Sequence, residues 1–202
     1  MPLYIAKKQD GRFPCFKSLG KNVLISDSVR FYNPENISIG DNVRIDDFSI
    51  LSGGRGIRIG SHIHIACNVS MFGGSGIVIN DFCQIAAYSL LLSESDDFSG
   101  SSLIGPCVPK KFKPKYKEGK PIILGKHTVI GARSTILPGV TLGEGVSIGA
   151  HSLVKMNCIS WRIYTGNPLT MIGYREKDIL TLEKQFLEEY NYANGKSEYQ
   201  PA

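Results

Sequence analysis

An aliphatic residue recurs every six positions along most of this chain, and few folds accept that spacing. The positions are Ile39, Ile45 and Leu51; Ile59, Ile65 and Met71; Ile79, Ile85 and Leu91; then, after one interruption, Leu124, Ile130, Ile136, Leu142, Ile148 and Val154. A helix repeats at 3.6 residues and a half-buried strand at two, so neither accounts for the pattern. A short strand followed by a tight turn does, and three such sides close one triangular coil. The stretches Ile39–Ile45, Ile59–Ile65 and Ile79–Ile85 align at a period of 20, with Gly53-Gly54 and Gly73-Gly74 as turn insertions. Four places after most aliphatics stands a small or β-branched residue: Val43, Ser49, Val69, Cys83, Ser89, Thr128, Ser134, Val140, Val146 and Ser152. These are expected to fill the space beside the aliphatic column, which becomes one continuous core. One place after the aliphatic stand Gly40, Gly60, Gly125, Gly131, Gly143 and Gly149, with Asn80 in one coil. They are expected to supply positive φ at the turns.

The chain has 202 residues, enough for one substantial domain. Its apolar runs, such as Leu90-Leu91-Leu92, fall far short of the ~20 residues of a membrane span. The segment Met1–Cys15 carries Lys7, Lys8, Asp10 and Arg12 where a secretion signal needs an apolar stretch, so a cytoplasmic location is expected. Five cysteines without a Cys-x-x-Cys pair read as buried reduced thiols. Lys and Arg number 23 against 18 Asp and Glu, a net charge of +5. The run Lys110-Lys111-Phe112-Lys113-Pro114-Lys115-Tyr116-Lys117-Glu118-Gly119-Lys120 carries all of that excess. Charge so localised argues against a general nucleic-acid binder and for one anionic ligand, or for a solvated loop.

With these residues in place, the chain resembles the hexapeptide-repeat acyltransferases. The likeness spans about residues 19–172, and Ile148–Val154 followed by Tyr164-Thr165-Gly166-Asn167-Pro168 is similar to that family's closing signature. The resemblance implies an all-β fold, a left-handed parallel β-helix. Residues 1–18 form an N-terminal segment, residues 19–172 the β-helix with an inserted loop at 93–121, and residues 174–192 a C-terminal helix. Ile179, Leu182, Phe186, Leu187 and Tyr190 are expected on one face of that helix.

Within the family, Phe16–Gly20, Ile45-Asp46-Asp47-Phe48, His62–Ala66 and Ser95–Gly100 are most similar to acyltransferases of nucleotide-linked 4-amino-4,6-dideoxy sugars. Where the galactoside and maltose branch carries a histidine base in its inserted loop, Asp96 stands here. A free aspartate, with pKa ~3.9, is a weak base at neutral pH. Either Glu94 and Asp97 crowd it, or the nucleophile is an amine that needs little help; the second is favoured and points to an amino-sugar acceptor. His64 matches a substrate-facing place, as substrate contact or alternative base, with Asp97, Asn68 and Ser52 as further substrate contacts. The implied co-substrate is acetyl-CoA or another acyl-CoA. Its pantetheine arm would pass Ala132 and Ala150, and its phosphates would meet Lys155 and Arg175. No metal site is expected, because the family's zinc-binding histidine spacing is not reproduced. The resemblance further implies a homotrimer with sites between neighbours. An O-acetyltransferase of polysaccharide hydroxyls and a non-catalytic β-helix scaffold are the alternatives.

Overall fold

The protein's structure, a computed structural model, describes residues 3–5, 15–113 and 119–196, with side chains for 15–113 and 119–189. Strands of two or three residues alternate with tight turns, and each pairs in parallel with the strand one coil away. Ile37–Ile39 pairs with Ile57–Ile59 and that with Ile77–Ile79. Val43–Ile45 pairs with Ile63–Ile65, and Ile50–Ser52 with Ser70–Phe72. Three walls result, one of nine strands and two of six. This is the parallel β-helix that the six-residue period requires. The nine-stranded wall begins with Leu3–Ile5, antiparallel to Leu24–Ser26, and ends with Arg162–Thr165, antiparallel to Thr170–Tyr174. Ile77–Ile79 pairs directly with Ile122–Leu124, so the inserted loop leaves the ladder unbroken.

All fifteen aliphatic positions are at most 2% exposed, and the ten small or β-branched ones at most 3%. Burial of each large aliphatic side chain contributes about 1.5–3 kcal/mol. Since every coil adds to one column, the core is long and narrow. Of the cysteines, Cys83 and Cys158 are buried, and desolvation pushes their thiols up to about 12 and about 11. Cys67 is half-buried, while Cys15 and Cys107 are exposed, which corrects the expectation of burial for those two.

The glycines serve a different purpose from the one expected. Gly40, Gly60, Gly125, Gly131, Gly143 and Gly149 do not lie in the left-handed region. A Cβ on Gly40 would stand 2.6 Å from the Gly60 carbonyl oxygen, and one on Gly131 would stand 2.5 Å from the Ala150 nitrogen. They are small because the next coil lies on them. The left-handed residues come two places later, at Asn42, His62, Phe82, His127, Arg133 and His151, with φ between 55° and 60°. Asn80 also lies outside that region, and its amide donates to the Leu124 carbonyl at 2.8 Å.

The C-terminal helix runs Ile179–Lys196 rather than 174–192, because residues up to Tyr174 continue the last strand. Its docked face carries Ile179, Leu180, Glu183, Phe186 and Leu187. Leu182 is exposed, contrary to expectation, and the Tyr190 side chain lies outside the described residues. Phe186 meets the stacked rings of His62 and Phe82 edge-on. Glu183 anchors the helix: its Oε2 lies 2.8 Å from His127 Nε2, and its Oε1 accepts from Lys126 Nζ. Burial works to raise the Glu183 pKa, but hydrogen bonds and charge from Lys126 and His127 outweigh it and hold it below the ordinary 4.5. A depressed carboxyl stabilises the fold above its unfolded value and loses that contribution as pH falls through the folded one. Helix amides are therefore expected to lose protection, read as exchange relative to the intrinsic rate at each pH, as pH falls below 4.5, and Glu183→Gln to abolish that acid dependence. Hydrogen exchange against pH checks this; an unchanged dependence in the variant would refute it. Among the described residues, no helix is long and apolar enough to cross a membrane.

Candidate active site

The inserted loop springs from the vertex between the two six-stranded walls, after Leu90–Leu92 and before Ile122–Leu124. Its root is packed. Ser93 is buried, donates to the Phe72 carbonyl at 2.9 Å and accepts the Ser75 N–H at 2.9 Å. Glu94 accepts the Ser75 hydroxyl at 2.8 Å. A Cβ on Gly119 would stand 2.0 Å from the Ser93 carbonyl oxygen, so the returning limb lies directly on the outgoing one. Farther out, Leu103 N–H donates to the Phe112 carbonyl at 3.0 Å.

Between these limbs and the coil lies a cleft of about 830 Å³, lined by Arg55, Glu94, Ser95, Asp96, Gly105, Pro106, Val108, Lys110 and Lys113. Asp96 is exposed to it, with one oxygen 3.4 Å from the Gly105 N–H, and Lys113 donates to the Gly105 carbonyl. A carboxylate thus faces a cleft bearing three cationic side chains, a setting for an amine beside a phosphorylated group. Asp97 serves the loop itself, accepting the Ser99 N–H at 2.9 Å. Of the lysine run, Lys110 and Lys113 line the cleft, Lys111 covers the Phe112 ring and Lys120 lies at the loop's return; Lys115 and Lys117 fall outside the described residues.

A second group stands on the nine-stranded wall, opposite the vertex that bears the loop. His64 projects outward there, its Nε2 2.7 Å from Asp46 Oδ2, while Arg44 Nε donates to Asp46 Oδ1 at 2.7 Å. Burial works to raise the Asp46 pKa, yet the hydrogen bonds and charges of His64 and Arg44 outweigh it and hold it below the ordinary carboxylate value. Asn68 occupies a left-handed corner beside this wall, with φ 58°, and Ser52 faces outward from the adjoining wall in register with Tyr32 and Phe72. One chain therefore keeps His64 and Asp96 on different sides of the helix.

The residues expected to hold the acyl donor are also divided. Ala132 and Ala150 stack on successive coils, where the His151 N–H donates to the Ala132 carbonyl at 2.8 Å. Lys155 is exposed beyond them. Arg175 stands at another corner, its Nη1 donating to the carbonyls of His127 at 2.5 Å and Gly145 at 3.3 Å. It braces the turn. Among the described residues, no cluster of three or more His, Cys, Asp or Glu is arranged to hold a metal. Sequence reasoning missed Asp46 and Arg44 as partners of His64, although the 20-residue period places residue 44 beside residue 64. It also missed Arg55, which only the folded loop brings to Asp96.

The coils and inserted loop match proteins of known activity, and the chain belongs to the hexapeptide-repeat acyltransferases. Residues 121–155 match the family described as bacterial transferase hexapeptide (six repeats). The dTDP-4-amino-4,6-dideoxy-D-glucose acyltransferase of Escherichia coli is 41% identical over 172 residues, 85% of this chain and 88% of its own. AntD, an N-acyltransferase from Bacillus cereus solved with dTDP and 3-hydroxybutyryl-CoA, is 45% identical with a TM-score of 0.86, covering 93% of this chain and 98% of its own. An AntD variant solved with dTDP-4-amino-4,6-dideoxyglucose and coenzyme A is 48% identical, with a TM-score of 0.82 over 86% of this chain and 92% of its own.

Proposed function

We propose that this chain is an acyl-CoA-dependent N-acyltransferase that acylates the 4-amine of a dTDP-linked 4-amino-4,6-dideoxy sugar. The observation that carries the reading is the near full-length likeness to AntD bound to that sugar nucleotide and coenzyme A. The cleft beside Asp96 supports it, since a cationic, partly acidic pocket suits an amino sugar joined to a diphosphate. In this reading Asp96 orients the amine and His64 accepts its proton. The amine nitrogen attacks the thioester carbonyl, backbone N–H groups steady the oxyanion, and the C–S bond breaks to release CoA. Ala132 and Ala150 let the pantetheine arm approach the backbone, and Lys155 meets the CoA phosphates.

The reading includes a homotrimer, which brings the loop of one subunit to the nine-stranded wall of its neighbour. Tyr32, Phe48, Phe72 and Tyr88 are between 42% and 58% exposed on the adjoining wall and corner, an apolar surface that suits a subunit contact. A cytoplasmic role in surface-polysaccharide synthesis, within a single domain, fits a nucleotide-linked substrate. Release of CoA thiol against a panel of dTDP-linked 4-amino and 4-hydroxy sugars tests the function, with acetyl-CoA and 3-hydroxybutyryl-CoA as donors. Turnover confined to the 4-amino sugars is expected; turnover only with hydroxyl acceptors, or with none, would overturn it. Neutralising Lys110, Lys111, Lys113, Lys115, Lys117 and Lys120 to Gln is expected to raise the KM of the sugar nucleotide or the donor about tenfold, with kcat little changed. Unchanged KM values for both would make the run a solvated loop.

A further inference from the structure

Two of the stretches singled out in the sequence, Ile45-Asp46-Asp47-Phe48 and His62-Ile63-His64-Ile65-Ala66, meet in the fold. Arg44 and His64 are register partners on successive coils, and Asp46 bridges them with a 2.7 Å contact from each carboxylate oxygen. An ionised carboxylate only accepts hydrogen bonds, so the imidazole proton that meets it sits on Nε2 and the lone pair falls on Nδ1. The residues that follow fix the turn after Asp46. Asp47 accepts from the hydroxyls of both Ser26 and Ser28, the latter at 3.0 Å, and the Phe48 N–H donates to Ser28 Oγ at 2.9 Å. The fold does not require the trio. Arg44 and His64 side chains are 51% and 39% exposed on the outer surface of the wall, where such pairs contribute about 0–1 kcal/mol.

We infer that Asp46, braced by Arg44, is a positioning residue that holds His64 in the Nε2–H tautomer and leaves Nδ1 to receive the proton of the attacking amine. This rests on the proposed role of His64. As the N–C bond forms at the thioester carbonyl, the amine proton passes to Nδ1, and the resulting imidazolium is paired with Asp46. The C–S bond then breaks, and the proton returns from Nδ1 to the departing CoA sulfur. The charge balance closes at each step without another reactant.

A double-mutant cycle separates positioning from simple stability. Asp46→Asn is expected to lower kcat on the order of 10–100-fold with both KM values within about twofold. Added to His64→Gln, the same change is expected to cost less than about twofold more, because it acts through an imidazole already gone. Nitrogen-15 shifts of the His64 ring should report Nε2–H in the parent and a growing Nδ1–H population in Asp46→Asn. Native kcat in Asp46→Asn beside an inactive His64→Gln would overturn the inference alone, as would losses that multiply in the double variant. Full turnover in His64→Gln would overturn the role of His64 and this inference with it.

Discussion

Gly131→Ala is expected to destabilise the protein by about 3 kcal/mol, through a clash between coils rather than through turn strain. The added methyl would lie 2.5 Å from the Ala150 nitrogen, 2.7 Å from the Gly149 carbonyl carbon and 2.8 Å from the Ile148 carbonyl oxygen. All three are backbone atoms in a hydrogen-bonded ladder, where Gly131 itself donates to the Ile148 carbonyl at 2.7 Å. No side chain can rotate aside to make room, so successive coils must separate. For a chain of this size, about 3 kcal/mol corresponds to roughly a 6–12 °C fall in Tm. His151→Gly supplies the contrast. His151 is exposed at φ 56°, where glycine relieves left-handed strain while adding freedom to the unfolded chain, so the two effects nearly offset. Its Tm should stay within a few degrees. Thermal melts of the two variants decide the matter: a Gly131→Ala protein that melts with the parent would show that the coils do not press on this position.

The aliphatic column was legible because it is enforced by burial, which permits few substitutes at positions such as Ile65 or Leu91. The small residues four places later were legible for the same reason. Glycine was ambiguous because two constraints favour it, positive φ and close approach, and only the stacked backbones show which one operates. The left-handed corners were hidden since side chains as different as Asn42, Phe82 and His127 fill them. Phe82 and His127 stack on one another at 5.3 Å. The helix face was misread at one residue because Glu183, a charged residue, turned out to be its anchor, held by His127 and Lys126 from a distant part of the chain. The candidate site divides in the same way. The Arg44–His64 juxtaposition follows from the repeat period, whereas the Asp46 contact and the cleft of Asp96, with loop contacts such as Gly105 with Lys113, obey no period.

Asp96→Asn and His64→Gln are each expected to lower kcat by about 100-fold or more, and mixed trimers of the two to recover activity. Asn keeps the shape of the aspartate but removes the anionic acceptor that would hold an N–H of the neutral amine and aim its lone pair at the thioester. Gln keeps polarity at position 64 but accepts no proton. Within one chain these residues belong to the loop-bearing vertex and to the wall opposite it, so a single subunit cannot bring both to one amine. In the cyclic trimer proposed above, each interface would join unlike surfaces, the loop side of one subunit and the nine-stranded wall of the next. Co-expression of the two variants in equal amounts then gives interfaces that combine an intact Asp96 with an intact His64. Even odds at each contributing subunit predict recovery to about a quarter of parental turnover. Co-expression of the parent with a chain carrying both substitutions calibrates the same statistics and also predicts about a quarter. Turnover in the mixture no higher than in either variant alone would mean that the two side chains do not act at a shared interface. The mixture reads the geometry of the site directly, because neither chain regains its missing group and only the pairing of subunits changes.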